Sequence, residues 1–358
     1  MRKVLLLAGE ESGVLYARQI AAKLREVCPN VEIRGYGDYG FETGDLAVMG
    51  FLAVLRKIFF FLRVKRTLER AIDEWRPDVI CTVDYPGMNL KLAAYAKRRG
   101  VRAVHVVCPQ VWAWKAGRIP KIEASLDKLC CFFPFEPALF RPGFAAFVGH
   151  PLAEAFASVR PRSDSGTSEG EERPLVALLP GSRLGEIESH LPTMLAAVRG
   201  LDVRVAIPAA NVRAQQAIEA LSAGSSVEVL SGGARELLQK ARCAVVASGT
   251  ATLEAALARC PTVLVYRVGV LLAWFARRVI KGIRHVGLAN IIAEKAGVEC
   301  PMPELLQEDF TADNVRKYIS LWLKDEDSRS EAAARLDATM RHLCADGDSM
   351  TKIVRFLV

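Results

Sequence analysis

Two carboxylates in the N-terminal half stand where a general base could act. Glu10 follows the apolar run Val4–Leu7, and Asp84 follows the run Val79–Val83. If both runs are strands of one parallel sheet, these side chains lie at its carboxyl edge, where open α/β sheets bind ligands. A carboxylate there can take the proton of an attacking hydroxyl. For Asp84, which precedes Tyr85 and a proline, an ordinary turn residue is the alternative.

A phosphate-binding turn is predicted in the C-terminal half. The apolar run Leu175–Leu179 leads through Pro180 into Gly181, Ser182 and Arg183, and a helical pattern follows. The N–H groups at a helix N-terminus bind anions, and an arginine adds a planar bidentate donor. The turn therefore suits a diphosphate, with a plain strand-to-helix turn as the alternative.

A second turn of this kind follows the run Ala244–Ala247. Ser248, Gly249 and Thr250 precede another helical pattern, and Gly249 would let a ligand approach the backbone closely. Glu254, early in that helix, could accept hydrogen bonds from ribose hydroxyls. Favourable charge in a first helical turn is the alternative for Glu254.

The sequence motifs do not favour dinucleotide oxidoreduction, P-loop hydrolysis or metal binding. The sequence contains neither G-x-G-x-x-G nor G-x-x-x-x-G-K-[ST], which disfavours dinucleotide oxidoreduction and P-loop hydrolysis. Asp325–Asp327 and Asp346–Asp348 match D-x-D but lie away from any predicted strand end, and the five histidines show no metal-ligand spacing. We predict no cofactor and no required metal.

The elements that must position these residues alternate along the chain. Short Val/Leu/Ile-rich runs alternate with helical patterns on both sides of residues 160–174, a stretch without large apolar side chains. Such runs are typical of parallel strands covered on both faces. We predict an α/β chain with two doubly wound, Rossmann-like domains facing a cleft. The predicted boundaries are 1–157 for the first domain, 158–174 for a flexible linker, 175–310 for the second domain and 311–358 for C-terminal helices packing across the domains.

The positive charge is concentrated in two segments. The 358 residues include 48 Lys+Arg and 40 Asp+Glu, a net charge of +8, yet residues 56–70 hold six cations against one acid, and residues 265–293 hold five cations and no acid. Both segments are also apolar, which is typical of a chain lying on an anionic membrane surface. A buried apolar stretch with a solvated helix end is the alternative. The Phe-rich clusters disfavour nucleic acid, which needs interleaved stacking residues.

Around the first segment we predict membrane contact. The residues concerned are Met49, Phe51, Leu52, Leu55, Arg56, Lys57, Phe59, Phe60 and Arg63. The nine cysteines form no C-x-x-C pair, and no run resembles a secretion signal or reaches the ~20 apolar residues of a spanning helix. We therefore expect a cytoplasmic protein that is peripheral on the membrane.

Taken together, the motifs resemble one family. They are Ala8-Gly-Glu10-x-Ser12-Gly13, Leu46–Gly50, Asp84-x-Pro86-x-x-Asn89, Pro109-x-Val111-Trp-Ala-Trp114, Pro134-Phe-Glu136, Val148-Gly-His150, Leu178–Arg183 with Glu186-Ile-Glu188, Ala247–Glu254, Tyr266-Arg267, Asn290 and Leu305–Glu308. In register over nearly the whole chain, they are similar to those of the lipid-A-disaccharide synthases.

The resemblance implies a GT-B glycosyltransferase at the cytoplasmic face of the inner membrane. The C-terminal domain would bind UDP-2,3-diacylglucosamine, and the N-terminal domain would bind 2,3-diacylglucosamine 1-phosphate. An inverting displacement would form a β-1,6-linked disaccharide and release UDP. A homodimer is also possible on this basis.

The resemblance implies roles for individual residues of this sequence. Asp84 and Glu10 match the acidic candidates for the base and for acceptor positioning, Arg183 matches the diphosphate arginine, and Glu254 matches the ribose-side acid. The substrate- and UDP-binding residues implied are Ser12, Gly13, Asn89, Gly181, Ser182, Arg183, Ser248, Gly249, Thr250, Glu254 and Asn290.

The departures from the family pattern cluster on the acceptor side. They are Glu11, Val14, the loop 37–40, Gly87 and, elsewhere, Glu294. Another UDP-sugar enzyme, either a lipid glycosyltransferase or a 2-epimerase, and a non-catalytic membrane-bound nucleotide binder remain open alternatives at this point.

Overall fold

The structure is a computed structural model that describes residues 2–9, 11–36, 40–41, 51–113, 116–157, 173–269 and 284–358. The side chains of residues 11–12, 36, 40–41, 51–61 and 157 lie outside this description. Of the predicted site residues, Glu10 and Met49 lie outside the described residues. The same is true of the side chains of Ser12 and of the predicted membrane contacts between Phe51 and Phe60.

The chain divides into two compact units. The first comprises Met1–Pro151 together with Ala345–Val358, and the second comprises Leu152–Cys344. The last residues of the chain thus belong to the first unit, whereas the sequence analysis groups residues 311–358 as one set of helices.

Each unit is built on one parallel sheet. The strands of the first unit are β1 (Lys3–Ala8), β2 (Glu32–Tyr36), β3 (Gly40–Phe41), β4 (Val79–Val83), β5 (Arg102–Val106), β6 (Lys128–Cys131) and β7 (Ala145–Phe147), in the order β3-β2-β1-β4-β5-β6-β7. Those of the second are β8 (Leu175–Leu179), β9 (Arg204–Ala209), β10 (Val227–Ser231), β11 (Cys243–Ala247), β12 (Thr262–Tyr266) and β13 (Glu304–Leu306), in the order β10-β9-β8-β11-β12-β13. All paired strands are parallel, which confirms the predicted α/β class.

Helices connect the strands, as parallel pairing requires. In chain order they are α1 (Glu11–Val27), α2 (Phe51–Trp75), α3 (Pro86–Arg98), α4 (Ile119–Ser125), α5 (Pro151–Ala157), α6 (Leu184–Val198), α7 (Val212–Leu221), α8 (Ala234–Lys240), α9 (Thr250–Leu257), α10 (Leu288–Ala296), α11 (Ala312–Lys324), α12 (Glu326–Met340) and α13 (Ser349–Arg355). No helix in the described ranges combines the length and the apolarity needed to cross a bilayer.

The first sheet is buried on both faces because alternate residues of each strand point to opposite sides. Leu5 and Leu7 of β1 join a core formed with α2, α3 and α4. Val4 and Leu6 join a second core formed with α1 and α13. The continuous apolar runs of the sequence are therefore explained by two-sided burial, and α13 covers part of one face.

Because α13 completes a core, we expect Ile353→Ala to destabilise the first unit by about 2–5 kcal/mol. Ile353 is fully buried, whereas Arg355 on the same helix is exposed. Denaturant unfolding of the whole chain, with Arg355→Ala as the matched control, measures the difference. Equal unfolding midpoints for the two variants would contradict this role of α13.

Candidate active site

A strained turn carries Asp84 at the end of β4. Asp84 and Tyr85 both have left-handed backbone angles, with φ of 51° and 45°, and Pro86 then begins α3. Non-glycine residues rarely adopt this conformation, which costs of order 1–3 kcal/mol per residue and is concentrated at functional sites. The sequence predicts a turn here, and the structure adds that the turn is an unfavourable one.

One buried amide holds this turn in place. Asn89, fully buried in α3, donates from Nδ2 to the carbonyl oxygens of Val83 (3.1 Å) and Asp84 (2.7 Å). The Asp84 N–H donates to Val106 O at 2.9 Å, and Asp84 Oδ1 accepts the N–H of Tyr85 at 2.8 Å. The backbone beneath Asp84 is therefore held at several points, and among the described residues Oδ2 has no partner.

Gly13 and Gly9 bring the start of α1 close to the same turn. A Cβ on Gly13 would lie 3.6 Å from the Asp84 Cβ, and one on Gly9 would lie 2.5 Å from the Tyr85 ring. The structure thus brings together three predicted residues, Gly13, Asp84 and Asn89. The binding role predicted for Asn89 stays a prediction, and the contacts give it a positioning role that the sequence analysis missed.

The next strand also ends in an unusual conformation. Val107, after β5, has φ of 75°, which is rare for a β-branched residue. Its N–H donates to Cys130 O at 3.1 Å, so the turn is tied to β6. Neighbouring strand ends of this sheet therefore carry strained backbone at Asp84, Tyr85 and Val107.

A buried carboxyl, Glu136, links the loops that follow β5 and β6. Its Oε1 accepts the Trp112 indole N–H at 3.2 Å, and its Oε2 accepts the Phe133 N–H at 3.1 Å. Burial raises the pKa of Glu136 to about 8, although these hydrogen bonds act in the opposite direction. The carboxyl is thus mostly protonated at neutral pH. The signal that could have revealed it was the motif Pro134-Phe-Glu136, in which an acid follows the apolar run Leu129–Phe133.

Two thiols lie beside this carboxyl. The potential ligand atoms of Cys108, Cys131 and Glu136 all lie within 4.8 Å of one another. A hydrogen bond to Cys131, together with burial, raises the pKa of Cys108. A protonated thiol is a poor metal ligand, and both Glu136 oxygens already accept N–H bonds, so this cluster is better described as a hydrogen-bonded core.

In the second unit, seven of the eight predicted substrate- and UDP-binding residues line one pocket of about 400 Å³. The pocket lies at the carboxyl ends of β8, β9, β10 and β11. Predicted residues in its lining are Gly181, Ser182, Arg183, Ser248, Gly249, Thr250 and Glu254. Gly232 and Gly233, after β10, also line it and were missed, because two glycines after a strand indicate only a turn.

Glu186 organises the first turn of this pocket. Its Oε2 accepts the N–H groups of Ser182 (3.2 Å) and Arg183 (3.4 Å), and its Oε1 accepts Arg183 Nη1 at 2.8 Å. A Cβ on Gly181, where φ is 119°, would lie 2.5 Å from Glu186 Oε2. The N–H groups that the sequence analysis expects to face a diphosphate are therefore already paired, whereas the Arg183 side chain is 78% exposed.

The N-terminus of α9 forms the other side of the pocket. Gly249 has φ of 156°, a Cβ there would meet no atom within 4 Å, and the helix has no side-chain cap. This backbone is open to an anionic ligand. Burial raises the pKa of Glu254 one turn further on, and Glu236 acts in the same direction while Arg235 opposes both.

Asn290 lies outside this pocket lining, in a buried network. It exchanges hydrogen bonds with the Met302 backbone at 2.8 and 3.0 Å and donates to Glu304 Oε1 at 2.9 Å. Glu304 also accepts the N–H groups of Val286 and Gly287 at 3.0 Å. Asn290 and Glu304 thus fix the start of α10, and the UDP-binding role of Asn290 stays a prediction.

The structure describes only part of each of the two basic segments. Arg63 is exposed on α2, as membrane contact requires. In the second segment, residues 270–283 lie outside the described residues. Arg267, which the charge count includes, lies 4.8 Å over the Phe310 ring and donates to Phe310 O. It is therefore a packing residue rather than a surface cation.

The D-x-D matches have structural roles. Asp325 accepts the N–H groups of Asp327 and Ser328 and caps α12. Asp348 accepts those of Met350 and Thr351 and caps α13. Both D-x-D matches therefore lie at helix N-termini, where an aspartate of each is a capping residue.

Solved structures match this fold over nearly the whole chain. A Staphylococcus aureus MnaA structure with UDP matches with a TM-score of 0.64 and 13% identity, covering 99% of this chain and 95% of the other. Acinetobacter baumannii MurG matches with a TM-score of 0.59 and 13% identity, covering 100% and 98%. At such identity the likeness shows the fold, which is that of the GT-B enzymes.

The sequence relationship is more specific. The family model for lipid-A-disaccharide synthetase matches residues 4–352. A Chromohalobacter salexigens lipid-A-disaccharide synthase is 36% identical, covering 94% of this chain and 92% of the relative. The chain belongs to the lipid-A-disaccharide synthase family and is a glycosyltransferase.

The buried Glu136 generates a pH prediction. A carboxyl whose pKa rises from an ordinary value of 4.5 to about 8 on folding binds its proton more tightly in the folded state. Its contribution to stability is therefore lost as the pH rises between these values, by up to about 1.4 kcal/mol per pH unit, and the loss ends above pH 8. Glu136→Gln removes this titration. Denaturant unfolding at several pH values between 5 and 8 should show a flatter dependence for the variant, and parallel curves would refute the assignment.

Proposed function

We propose that the protein transfers 2,3-diacylglucosamine from UDP-2,3-diacylglucosamine to 2,3-diacylglucosamine 1-phosphate with inversion. The products are the β-1,6-linked disaccharide 1-phosphate and UDP. The observation that carries this proposal is the pocket of the second unit, because seven residues named from the sequence for UDP binding line it. Family membership supplies the substrate class.

In the proposed reaction, the acceptor's 6-hydroxyl attacks the anomeric carbon of the donor sugar. The new C–O bond forms as the bond from that carbon to the diphosphate oxygen breaks, and UDP leaves with the electron pair. The hydroxyl proton passes to a carboxylate. Asp84 is the candidate base because its backbone is held by Asn89 and its Oδ2 has no partner among the described residues.

On the donor side, Arg183 and the N-terminus of α9 are the candidate diphosphate-binding groups. Arg183 pairs with Glu186, so binding of the diphosphate would exchange one anionic partner for another. The uncapped N–H groups after Gly249 would stabilise the charge that develops on the leaving group. Glu254 lines the same pocket and is the candidate acceptor of hydrogen bonds from the ribose.

We further propose that the protein works on the cytoplasmic face of the inner membrane, where acylated substrates reside. Exposed cations on α2, namely Arg63, Arg66 and Arg70, support contact with an anionic surface.

Product analysis by mass spectrometry tests the reaction. Both diacylated sugars together should yield the disaccharide and UDP, whereas the donor alone should release no UDP and undergo no epimerisation. Binding of UDP without any product would leave only a nucleotide-binding role.

We expect Asp84→Asn to lower kcat by roughly 10²–10⁴-fold, since the amide cannot accept the hydroxyl proton. The UDP dissociation constant should be unchanged, because the donor pocket lies in the second unit. Asp313→Asn, which removes an exposed carboxylate on α11, is the control. Turnover near the wild-type rate would remove Asp84 from the role of base.

For Arg183→Ala we expect UDP to bind about 10- to 100-fold more weakly, the effect of losing a hydrogen bond to a charged group. Calorimetric titration with UDP measures this. Arg213→Ala, an exposed arginine on α7 outside the pocket lining, should leave the affinity unchanged. If both variants bind UDP as the wild type does, Arg183 does not contact the diphosphate.

A further inference from the structure

A basic groove lies on the first unit between α2, α3 and α4, and its α3 lining begins at Pro86, directly after the turn that carries Asp84. Its volume is about 340 Å³. The charged side chains that line it are Lys65 and Glu69 of α2, Lys91 and Arg98 of α3, and Arg118 and Lys121 at the start of α4. We call it the α2–α4 groove.

The groove has a large excess of positive charge. Lys65 Nζ lies 2.5 Å from Glu69 Oε1, so this carboxylate is already neutralised. Within the described part of the chain, Lys91, Arg98, Arg118 and Lys121 have no acidic side chain within 4.0 Å. Four unpaired cations around one concave surface attract an anion, because a cleft lined by one sign of charge focuses the potential.

The groove is continuous along one face of α3. Gly87, Lys91, Ala94 and Arg98 are spaced four, three and four residues apart, which places them on the same side of the helix. A Cβ on Gly87 would meet no atom of the described residues within 4 Å, so this part of the chain leaves that end of the groove open.

Its floor is apolar. Pro86, Leu90, Ala94 and Ile122 line it, and Leu90 and Ile122 are largely buried beneath it. The groove therefore suits a ligand that combines an anionic group with apolar atoms. Among the described residues, its lining contains no aromatic side chain on which a base could stack, which disfavours nucleic acid.

We propose that the α2–α4 groove binds the phosphate head group of an anionic phospholipid. Lys65 belongs to α2, which also carries the exposed cations Arg63 and Arg66. All four unpaired cations, which are Lys91, Arg98, Arg118 and Lys121, come from segments outside both basic runs of the sequence. The inference goes beyond the transfer reaction, since no group of the groove takes part in the proposed chemistry.

Vesicle retention without any sugar substrate tests the proposal. Lys91→Gln/Lys121→Gln removes two exposed cations from the groove, and Arg213→Gln/Lys317→Gln removes two exposed cations from the second unit. Vesicles of phosphatidylcholine with 30% phosphatidylglycerol are the probe, with pure phosphatidylcholine for comparison. At about 1 kcal/mol per cation near the surface, the groove variant should bind the anionic vesicles about 10- to 30-fold more weakly than the control variant. Lys91→Arg/Lys121→Arg should restore binding.

Two results would overturn the proposal. Equal retention of the groove and control variants would mean that only overall charge matters. A raised KM for the acceptor in uncharged detergent micelles, with vesicle retention unchanged, would assign the groove to the acceptor phosphate instead. Thermal unfolding and UDP titration of each variant verify that it is folded. Failure of the transfer reaction would appear only in the product assay, so the two proposals fail separately.

Discussion

The first unit places its candidate base through one buried amide. Two consecutive left-handed residues cost several kcal/mol, and the Asn89 hydrogen bonds to Val83 O and Asp84 O are the side-chain contacts from α3 that offset part of this cost. β4 can end in this way only because α3 starts immediately and brings Asn89 beneath the turn. The position of the Asp84 carboxylate is therefore determined by a helix that does not itself carry the carboxylate.

In the second unit, too, the helix after a strand holds the turn at the end of that strand, but through different side chains. Glu186 binds the N–H groups of Ser182 and Arg183, and His190 Nδ1 lies 2.8 Å from Pro180 O. Both side chains belong to α6, the helix that follows the turn. In each unit, then, a helix returns a polar side chain to the strand end that precedes it, and the sheet edge is left in a defined shape for a ligand.

The α/β fold could be predicted from the sequence, because strands that are buried on both faces consist of continuous apolar runs. Val79–Val83 and Cys243–Ala247 are fully buried strands, and their composition alone distinguishes them from helices. The residues predicted to bind UDP include seven that line one pocket of the second unit, where Gly181 and Gly249 occupy backbone conformations that favour glycine. Roles that depend on backbone strain or on long-range partners could not be predicted from the sequence. Glu136 acquires its raised pKa from burial among loops distant in the chain.

The distribution of charged side chains shows most clearly what the sequence alone could not predict. A run of cations in the sequence indicates a surface only if every member is exposed, and Arg267 is instead packed on Phe310. Conversely, Lys91, Arg118 and Lys121 belong to no run, yet the packing of α4 against α3 places them around one groove. The fold, and not the order of residues in the sequence, therefore determines where the cations behind the net charge of +8 lie. If the proposed substrates with acyl chains and phosphates are correct, the location of unpaired cations is a better guide to the proposed membrane-facing side than the charge of any segment.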